Sequence, residues 1–169
     1  SGPVSPLIRG SVFHRCLEEY AKMGSCDCAA VAGEFSEVRA LRGEERERFL
    51  AGVEPVIRSI TGSEELAWIF HRHPTAYSEL PFLYRRGNEI VSGIIDRVVV
   101  KEGRGYVVDY KAITIENDEA LQSWMDHYRP QIRIYCEAVK EMFRLEVVEG
   151  YLLFLDNSRL AMTVKIEQR

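Results

Sequence analysis

The sequence lacks the features that mark several specialised classes of protein. Its four cysteines, Cys16, Cys26, Cys28 and Cys136, have no C-x-x-C spacing, so neither a zinc ribbon nor an obvious iron–sulfur site is indicated. No apolar run is long enough to cross a membrane as a helix. No internal repeat or low-complexity tract occurs. We therefore expect a cytoplasmic protein with reduced thiols and no membrane association.

An excess of positive charge is missing as well. The chain has 22 Lys and Arg residues against 26 Asp and Glu residues, which gives a formal net charge of -4 at pH 7. A uniformly basic surface, which is the usual footprint of a protein that binds a polyanion, is thereby excluded. A site for a polyanion would need clustered positive charge, or a larger parent protein that supplies the binding track.

The composition itself is that of an ordinary globular protein, with 46% hydrophobic and 28% charged residues. A length of 169 residues suits one domain with a sizeable core. We expect a single domain over residues 1–169, helical over 1–75 and built on a sheet over 76–169. The chain starts Ser1-Gly2-Pro3, without an initiator methionine or signal segment, which predicts a fragment with the remnant of a tag.

The N-terminal third has helical periodicity. Apolar residues recur at helical spacing over 9–23, and Gly24 ends that run. Residues 25–43 are small and polar, so they are predicted to form a loop. Two further helices are predicted over 44–60 and 63–72.

From Tyr77 onwards the periodicity is that of strands. Short runs rich in Val, Ile and Tyr predict an antiparallel meander, followed by two helices and two more strands. Pro130 suits the first position of the second helix, where its missing N–H would be unpaired anyway. The fold class is therefore α/β, with a central mixed β-sheet flanked by helices. The predicted strands are 77–85, 89–101, 104–112, 147–155 and 160–167, and the predicted helices are 118–128 and 130–144.

The second hairpin brings two carboxylates together. A two-residue turn at 102–103 puts Lys101 opposite Arg104 and, counting outwards, Asp96 opposite Asp109. Directly opposed residues have Cβ atoms roughly 4.5–5.5 Å apart, and like charges at that distance are destabilising. A hard divalent cation between them would neutralise the repulsion.

Strand alternation adds a cation to this pair. Asp109 and Lys111 are two residues apart and therefore share a face of the sheet. Tyr110 is predicted to point the other way with Val108, towards Ile95. The pattern thus places a carboxylate and an ammonium group side by side.

Five short motifs in this order resemble those of the RecB-like branch of the PD-(D/E)XK nucleases. The likeness is to the nuclease domains of AddA and RecB helicase–nucleases, and the chain lacks the cysteine cluster of the branch's iron–sulfur members. A restriction-endonuclease-like core is the fold that this resemblance implies. The motifs are Gly10-Ser11-Val12-Phe13-His14, Ser78-Glu79-Leu80-Pro81-Phe82, Gly93-Ile94-Ile95-Asp96-Arg97, Val108-Asp109-Tyr110-Lys111 and Gln131-x-x-x-Tyr135.

The resemblance implies a metal-dependent deoxyribonuclease, acting as an exonuclease or endonuclease in double-strand break repair and recombination. Its cofactor would be Mg²⁺ or Mn²⁺. Its partners would be DNA, with single-stranded ends as the expected substrate, and a helicase domain or subunit of a larger complex. A non-cleaving DNA-binding or structural module of the same fold is the alternative.

The resemblance also assigns roles to individual residues. It implies that Asp96, Asp109, His14 and the main-chain carbonyl of Tyr110 are metal ligands, with the histidine favouring manganese. Glu79 would be a further ligand or would orient the catalytic lysine. The catalytic lysine itself, at position 111, would position or deprotonate the attacking water or stabilise transition-state charge.

Gln131 and Tyr135 share a helix face and are expected to contact DNA phosphate and the active site. Ordinary structural roles are the alternatives: surface ion pairs of the aspartates with Arg97 or Lys111, a solvated Glu79, an exposed His14, and a tyrosine at the edge of the core. The two histidines of His71-Arg72-His73 are expected to be surface residues.

Overall fold

A computed structural model of the chain describes residues 4–167. The predicted tag remnant at residues 1–3 lies outside that range. No helix in the described range is long and apolar enough to cross a membrane.

The first helix, α1 (Pro6–Met23), begins three residues earlier than predicted. The side chain of Ser5 accepts a hydrogen bond from the amide of Ile8, and proline follows as the first helical residue, where no N–H is needed. Gly24 ends the helix as predicted, with φ of 78°, because a left-handed residue lets its amide bond back to the carbonyl of Tyr20.

The segment predicted as a loop contains two short helices, α2 (Cys28–Ala32) and α3 (Ser36–Arg39), so that prediction was wrong. The aspartate before α2, Asp27, accepts a hydrogen bond from the amide of Ala30 and so starts a helix in a stretch of small residues.

The bounds predicted for the next two helices were also wrong. The predicted helix over 44–60 is divided into α4 (Gly43–Ala51) and α5 (Glu54–Thr61). Pro55, the second residue of α5, has no N–H to continue the hydrogen bonds of α4, so the division falls just before it. The helix predicted over 63–72 is only α6 (Ala67–Phe70).

The sheet has five strands in the order β1-β2-β3-β4-β5, with β3 and β4 parallel and all other neighbours antiparallel. The predicted mixed sheet is therefore confirmed, and every strand lies within two residues of its predicted bounds. The strands are β1 (Thr75–Arg86), β2 (Glu89–Lys101), β3 (Arg104–Lys111), β4 (Val147–Phe154) and β5 (Arg159–Glu167).

One long helix, α7 (Asp118–Phe143), connects the parallel strands β3 and β4. The two helices predicted here are a single one, and Pro130 lies inside it. An internal proline costs about 3 kcal/mol because it removes a hydrogen bond. Burial of the apolar side of α7 against the sheet offsets that cost. The approach is close, since a Cβ on Gly150 of β4 would lie 2.4 Å from the side chain of Ile132.

The sheet separates two hydrophobic cores. Helices α1 to α6 cover one face, where they pack on Val108 and Tyr110 of β3. Helix α7 covers the opposite face, where Val107 lies in its core. The site described below lies where the first core meets β1 and β2.

Candidate active site

In strands β1 and β2, the regular alternation of side chains between the two faces of the sheet is interrupted at one position. Ser78 pairs with Arg97 and Leu80 pairs with Ile95, with Glu79 between them outside the regular pairing. Ser78 and Arg97 are hydrogen-bonded to each other near α6, whereas Leu80 and Ile95 pack in the core beneath α7. Residues two apart in a regular strand would share a face.

The backbone of Glu79 accounts for this change. Its φ is 51°, in the left-handed region that a residue with a side chain rarely adopts. The side chain of Glu79 thereby turns towards His14 on α1. On the neighbouring strands, Ile95 lies in the α7 core and Tyr110 lies in the α1–α6 core, so the prediction that Tyr110 points towards Ile95 was wrong.

Three of the predicted site residues meet at this point. The imidazole Nδ1 of His14 lies 3.2 Å from Oδ1 of Asp96 and 3.5 Å from Oε1 of Glu79. One candidate ligand atom from each residue falls within 4.8 Å of the other two. The three residues come from α1, β1 and β2, and the packed face of α1 holds the histidine over the sheet.

The predicted hairpin brings Asp96 of β2 next to β3. Lys101 pairs with Arg104, as expected from the two-residue turn, and the ladder continues to Arg97 opposite Val108. At the next step the Asp96 carboxylate reaches across, and its Oδ2 accepts a hydrogen bond of 2.7 Å from the amide of Tyr110. The structure thus ties β2 to β3 through a side chain where the backbone ladder ends.

Asp109 and Lys111 lie beside this cluster. The Lys111 ammonium is 2.9 Å from Oδ2 of Asp109, as the shared strand face predicts. The same ammonium lies 4.0 Å from the ring centroid of Tyr128 on α7. The lysine is therefore held between a carboxylate on its own strand and an aromatic face on the helix.

The pKa values reflect a crowded acidic site. Burial first, and then the charge of Asp96, raises the pKa of Asp109 to about 7, although Lys111 opposes this shift. Burial by itself would lower the pKa of His14, but hydrogen bonds to Asp96 and Glu79 outweigh it and raise that pKa to about 10. Positive charge is therefore strongly favoured at the position between these carboxylates.

The donor atoms fit a divalent cation. Oε1 of Glu79 and Oδ2 of Asp109 are buried, and their partners are charged groups, His14 at 3.5 Å and Lys111 at 2.9 Å. Buried carboxylate oxygens are costly unless positive charge lies beside them, and a divalent cation would supply more of it. Carboxylates with one imidazole suit Mg²⁺ or, better, Mn²⁺.

An open cleft of about 810 Å³ leads to the site. Its walls include His14 and Glu79 on one side and Lys111 and Tyr128 on the other. The cleft thus runs from Glu79 inside β1 to Lys111 at the end of β3.

A comparison with known protein families identifies the family of this chain. The model of the PD-(D/E)XK nuclease superfamily matches residues 1–168. The chain belongs to the PD-(D/E)XK nuclease superfamily. Its members are generally dependent on divalent metal ions, in keeping with the donor atoms described above.

The chain matches parts of longer proteins. An ATP-dependent helicase/nuclease subunit from Streptococcus mutans is 28% identical over 161 residues, which cover 92% of this chain and 13% of that protein. The exonuclease/helicase protein RexA of Lactococcus lactis is 28% identical over 95 residues, 53% of this chain and 8% of that one. The chain thus spans a small part of these relatives.

A solved structure supports the predicted fold. An exonuclease candidate from Eubacterium rectale superposes on the whole of this chain and on 60% of its own, with a TM-score of 0.59 and 14% sequence identity. The restriction-endonuclease-like fold that the motifs implied is thereby confirmed.

The two predicted DNA contacts lie one helical turn apart on α7. Tyr135 is half-buried, and its ring packs edge-on against Phe82 at 5.4 Å. Burial, with the charges of Asp109 and Asp96, raises the pKa of Tyr135 to about 12, so this tyrosine lies near the carboxylates. Gln131 is exposed.

The structure gives Arg97 a buried structural role that was not predicted from the sequence. It was considered only as a surface partner of the aspartates, but it is 4% exposed, and its guanidinium donates to the carbonyls of Ile69 and His71 and to Oγ of Ser78. The arginine thus satisfies two carbonyls at the end of α6 and directly after it. The sequence feature that could have indicated this role is an arginine inside an apolar strand, next to Asp96.

A stacked aromatic pair was also missed. The rings of Trp124 and Tyr128 lie 5.8 Å apart at an interplanar angle of 15° on α7. Their spacing of four residues is a helical signal, but only the fold shows that Tyr128 adjoins Lys111. The two other histidines considered, at 71 and 73, lie away from the cluster, and the ring of His73 contacts the carbonyl of Trp68.

Proposed function

We propose that this domain hydrolyses DNA phosphodiester bonds with Mg²⁺ or Mn²⁺. The observation that carries the proposal is the convergence of His14, Glu79 and Asp96 within 4.8 Å, next to the Asp109–Lys111 pair. A bound cation would neutralise charge on the phosphate and lower the pKa of a coordinated water.

The cation would be held by residues from three elements. Asp96 and His14 would bind it from β2 and α1, and Asp109 from β3, with the carbonyl of Tyr110 as the main-chain ligand that the family resemblance implies. Glu79 would complete the site or orient the lysine. The hydrogen bond from the Tyr110 amide fixes one oxygen of Asp96, so that the other is turned towards His14.

Lys111 would act on the scissile phosphate or on the attacking water. Asp109 and Tyr128 hold its ammonium from two sides, so little reorganisation is needed when charge develops in the transition state. Both roles, positioning the water and stabilising the transition state, use the same position of Nζ.

The expected substrate is a single strand. Tyr128 adjoins the lysine and Trp124 stacks on Tyr128, and aromatic faces of this kind bind unpaired bases without sequence preference. Gln131 and Tyr135 would contact the phosphate backbone further along α7. A duplex, whose bases are already stacked on each other, would not use this aromatic pair.

We further infer that the domain works within a helicase–nuclease in double-strand break repair and recombination. The names of its relatives support this role, as does the small share of their length that the chain covers. A helicase motor would feed a single strand into the cleft, and its own basic surface would compensate for the acidic balance of this domain.

A labelled single-stranded DNA substrate, incubated with chelator, Mg²⁺ or Mn²⁺, tests the proposal. We expect cleavage with either metal and none with chelator. DNA binding without cleavage in all three conditions would favour the alternative, a binding module of the same fold. End-labelled and circular single strands would then separate exonuclease from endonuclease action.

A further inference from the structure

Three of the four cysteines converge at one point, although they are dispersed in the sequence. Cys16 lies on α1, Cys26 in the connection after it, and Cys28 is the first residue of α2. Their sulfur atoms all lie within 4.8 Å of one another, and none is in a disulfide. The remaining cysteine, Cys136, lies on α7 in the opposite core.

Local backbone geometry brings the three thiols together. Gly24, with φ of 78°, ends α1 and reverses the chain, and the Asp27 cap then starts α2 immediately. The short segment between these two residues is thereby folded back over Cys16, which has no exposed surface. The arrangement comes from a turn and a cap, so the C-x-x-C spacing of zinc ribbons is not needed.

We propose that Cys16, Cys26 and Cys28 bind a thiophilic cation, with Zn²⁺ as the representative ion. Tetrahedral zinc with bonds of about 2.3 Å places its sulfur ligands about 3.8 Å apart. The sulfurs here are already within 4.8 Å of one another, so small side-chain rotations would suffice. Each thiol that binds releases its proton to solvent.

A cavity beside the thiols leaves room for a fourth ligand. Its volume is about 370 Å³, and its walls include Cys26, Cys28, Asp27 and Glu54. Water from this cavity would complete the coordination from the solvent side, while Cys16 binds from the buried side. Arg58 also lies on this wall and offsets one of the two carboxylates, so the thiols themselves carry the affinity for the cation.

This site differs in chemistry and position from the nuclease cluster. Thiolates select soft or borderline cations and bind Mg²⁺ poorly, whereas the carboxylates around His14 also suit hard cations such as Mg²⁺ and Mn²⁺. Cys16 is two residues from His14, which places the two side chains about 200° apart around α1. Zinc would therefore fix α1 to α2 on one side, while the other side of the same helix presents the histidine.

The test is metal binding by the whole reduced chain. Zn²⁺ and Co²⁺ can also bind the carboxylate site, so the readout specific to the thiols is the thiolate-to-metal charge-transfer band of Co²⁺, which we expect to saturate at one equivalent and to disappear when Zn²⁺ displaces Co²⁺. Cys26→Ser and Cys28→Ser should each weaken binding at least about tenfold and reduce the band. The matched control is Cys136→Ser, which should bind like the parent.

Cys26 is only half-buried, so its serine variant should keep the fold, and a circular dichroism melt checks this. Absence of zinc uptake by the reduced parent would overturn the proposal, as would equal binding by Cys26→Ser and the parent. Thiol titration identifies the competing arrangement: loss of two thiols to a disulfide, with no zinc uptake after reduction, would also overturn it.

Discussion

The carboxylate of Asp96 is fixed by the main-chain amide of Tyr110, which donates a hydrogen bond of 2.7 Å to its Oδ2. The other oxygen of the same carboxylate lies 3.2 Å from the imidazole of His14. One side chain thus joins β2 to β3 and also contacts α1. The orientation of this carboxylate is set by the fold before any cation binds.

Substitution of Asp96 by Asn separates the hydrogen bond to Tyr110 from the proposed binding of a cation. Asparagine can still accept the hydrogen bond from Tyr110, but it has no charge to hold a divalent cation. A cation that binds only the folded state raises the melting temperature by mass action. We expect Mn²⁺ to stabilise the parent and to have little effect on Asp96→Asn. Calorimetric melts with and without Mn²⁺ measure this, and equal shifts in both proteins would contradict the assignment.

Removal of the imidazole should be detected as weaker metal binding. His14→Ala loses one proposed ligand and the only nitrogen among the clustered donors, so its Mn²⁺ affinity should fall at least about tenfold and its preference for Mn²⁺ over Mg²⁺ should decrease. Isothermal titration measures both. The control is His71→Gln, because the contacts that the described residues show for His71 are main-chain ones, from its amide to Ala67 and from Arg97 to its carbonyl. Unchanged titrations for His14→Ala would make that histidine an ordinary surface residue.

Arg97 is expected to stabilise the segment that leads into β1. Arg97→Met keeps the apolar stem but leaves the carbonyls of Ile69 and His71 and the hydroxyl of Ser78 without their donor. Hydrogen bonds from charged groups contribute about 1.5–3 kcal/mol each, so the free energy of unfolding should fall by at least about 2 kcal/mol. Urea denaturation measures the loss. The exposed Arg85→Met is the control, and equal midpoints for the two variants would contradict this role.

The aromatic pair on α7 should determine how tightly a single strand binds. Stacking on a side chain contributes about 1–3 kcal/mol per base, so Trp124→Ala should raise KM for single-stranded DNA about tenfold while kcat changes little. Tyr128 stays in place beneath Lys111 in this variant. A fall in kcat with unchanged KM would instead place Trp124 in the catalytic step.

Much of the fold follows from local patterns in the sequence. The turn between β2 and β3 fixes the pairing of Lys101 with Arg104, and alternation then places Asp109 and Lys111 on one face. These features depend on neighbouring residues only. For that reason they could be predicted, together with the strands and the mixed sheet.

The remaining features depend on tertiary contacts. Glu79 adopts a left-handed φ inside a strand, which no propensity favours, and the face change that follows could not be predicted. Pro130 would normally start a helix, but packing of α7 on the sheet keeps the helix continuous around it. The three cysteines meet only because a turn and a cap fold the chain back over Cys16.

The central claim, that Lys111 and its neighbours form a phosphodiesterase centre, is tested most directly by single-turnover cleavage of labelled single-stranded DNA in Mn²⁺. Lys111→Ala should cut at least about 100-fold more slowly than the parent, because a preorganised charge at the transition state is lost. Lys165→Ala is the matched control, because that lysine lies on β5 and pairs with Glu167. Near-parental cleavage by Lys111→Ala, with the metal-induced stabilisation intact, would contradict the account.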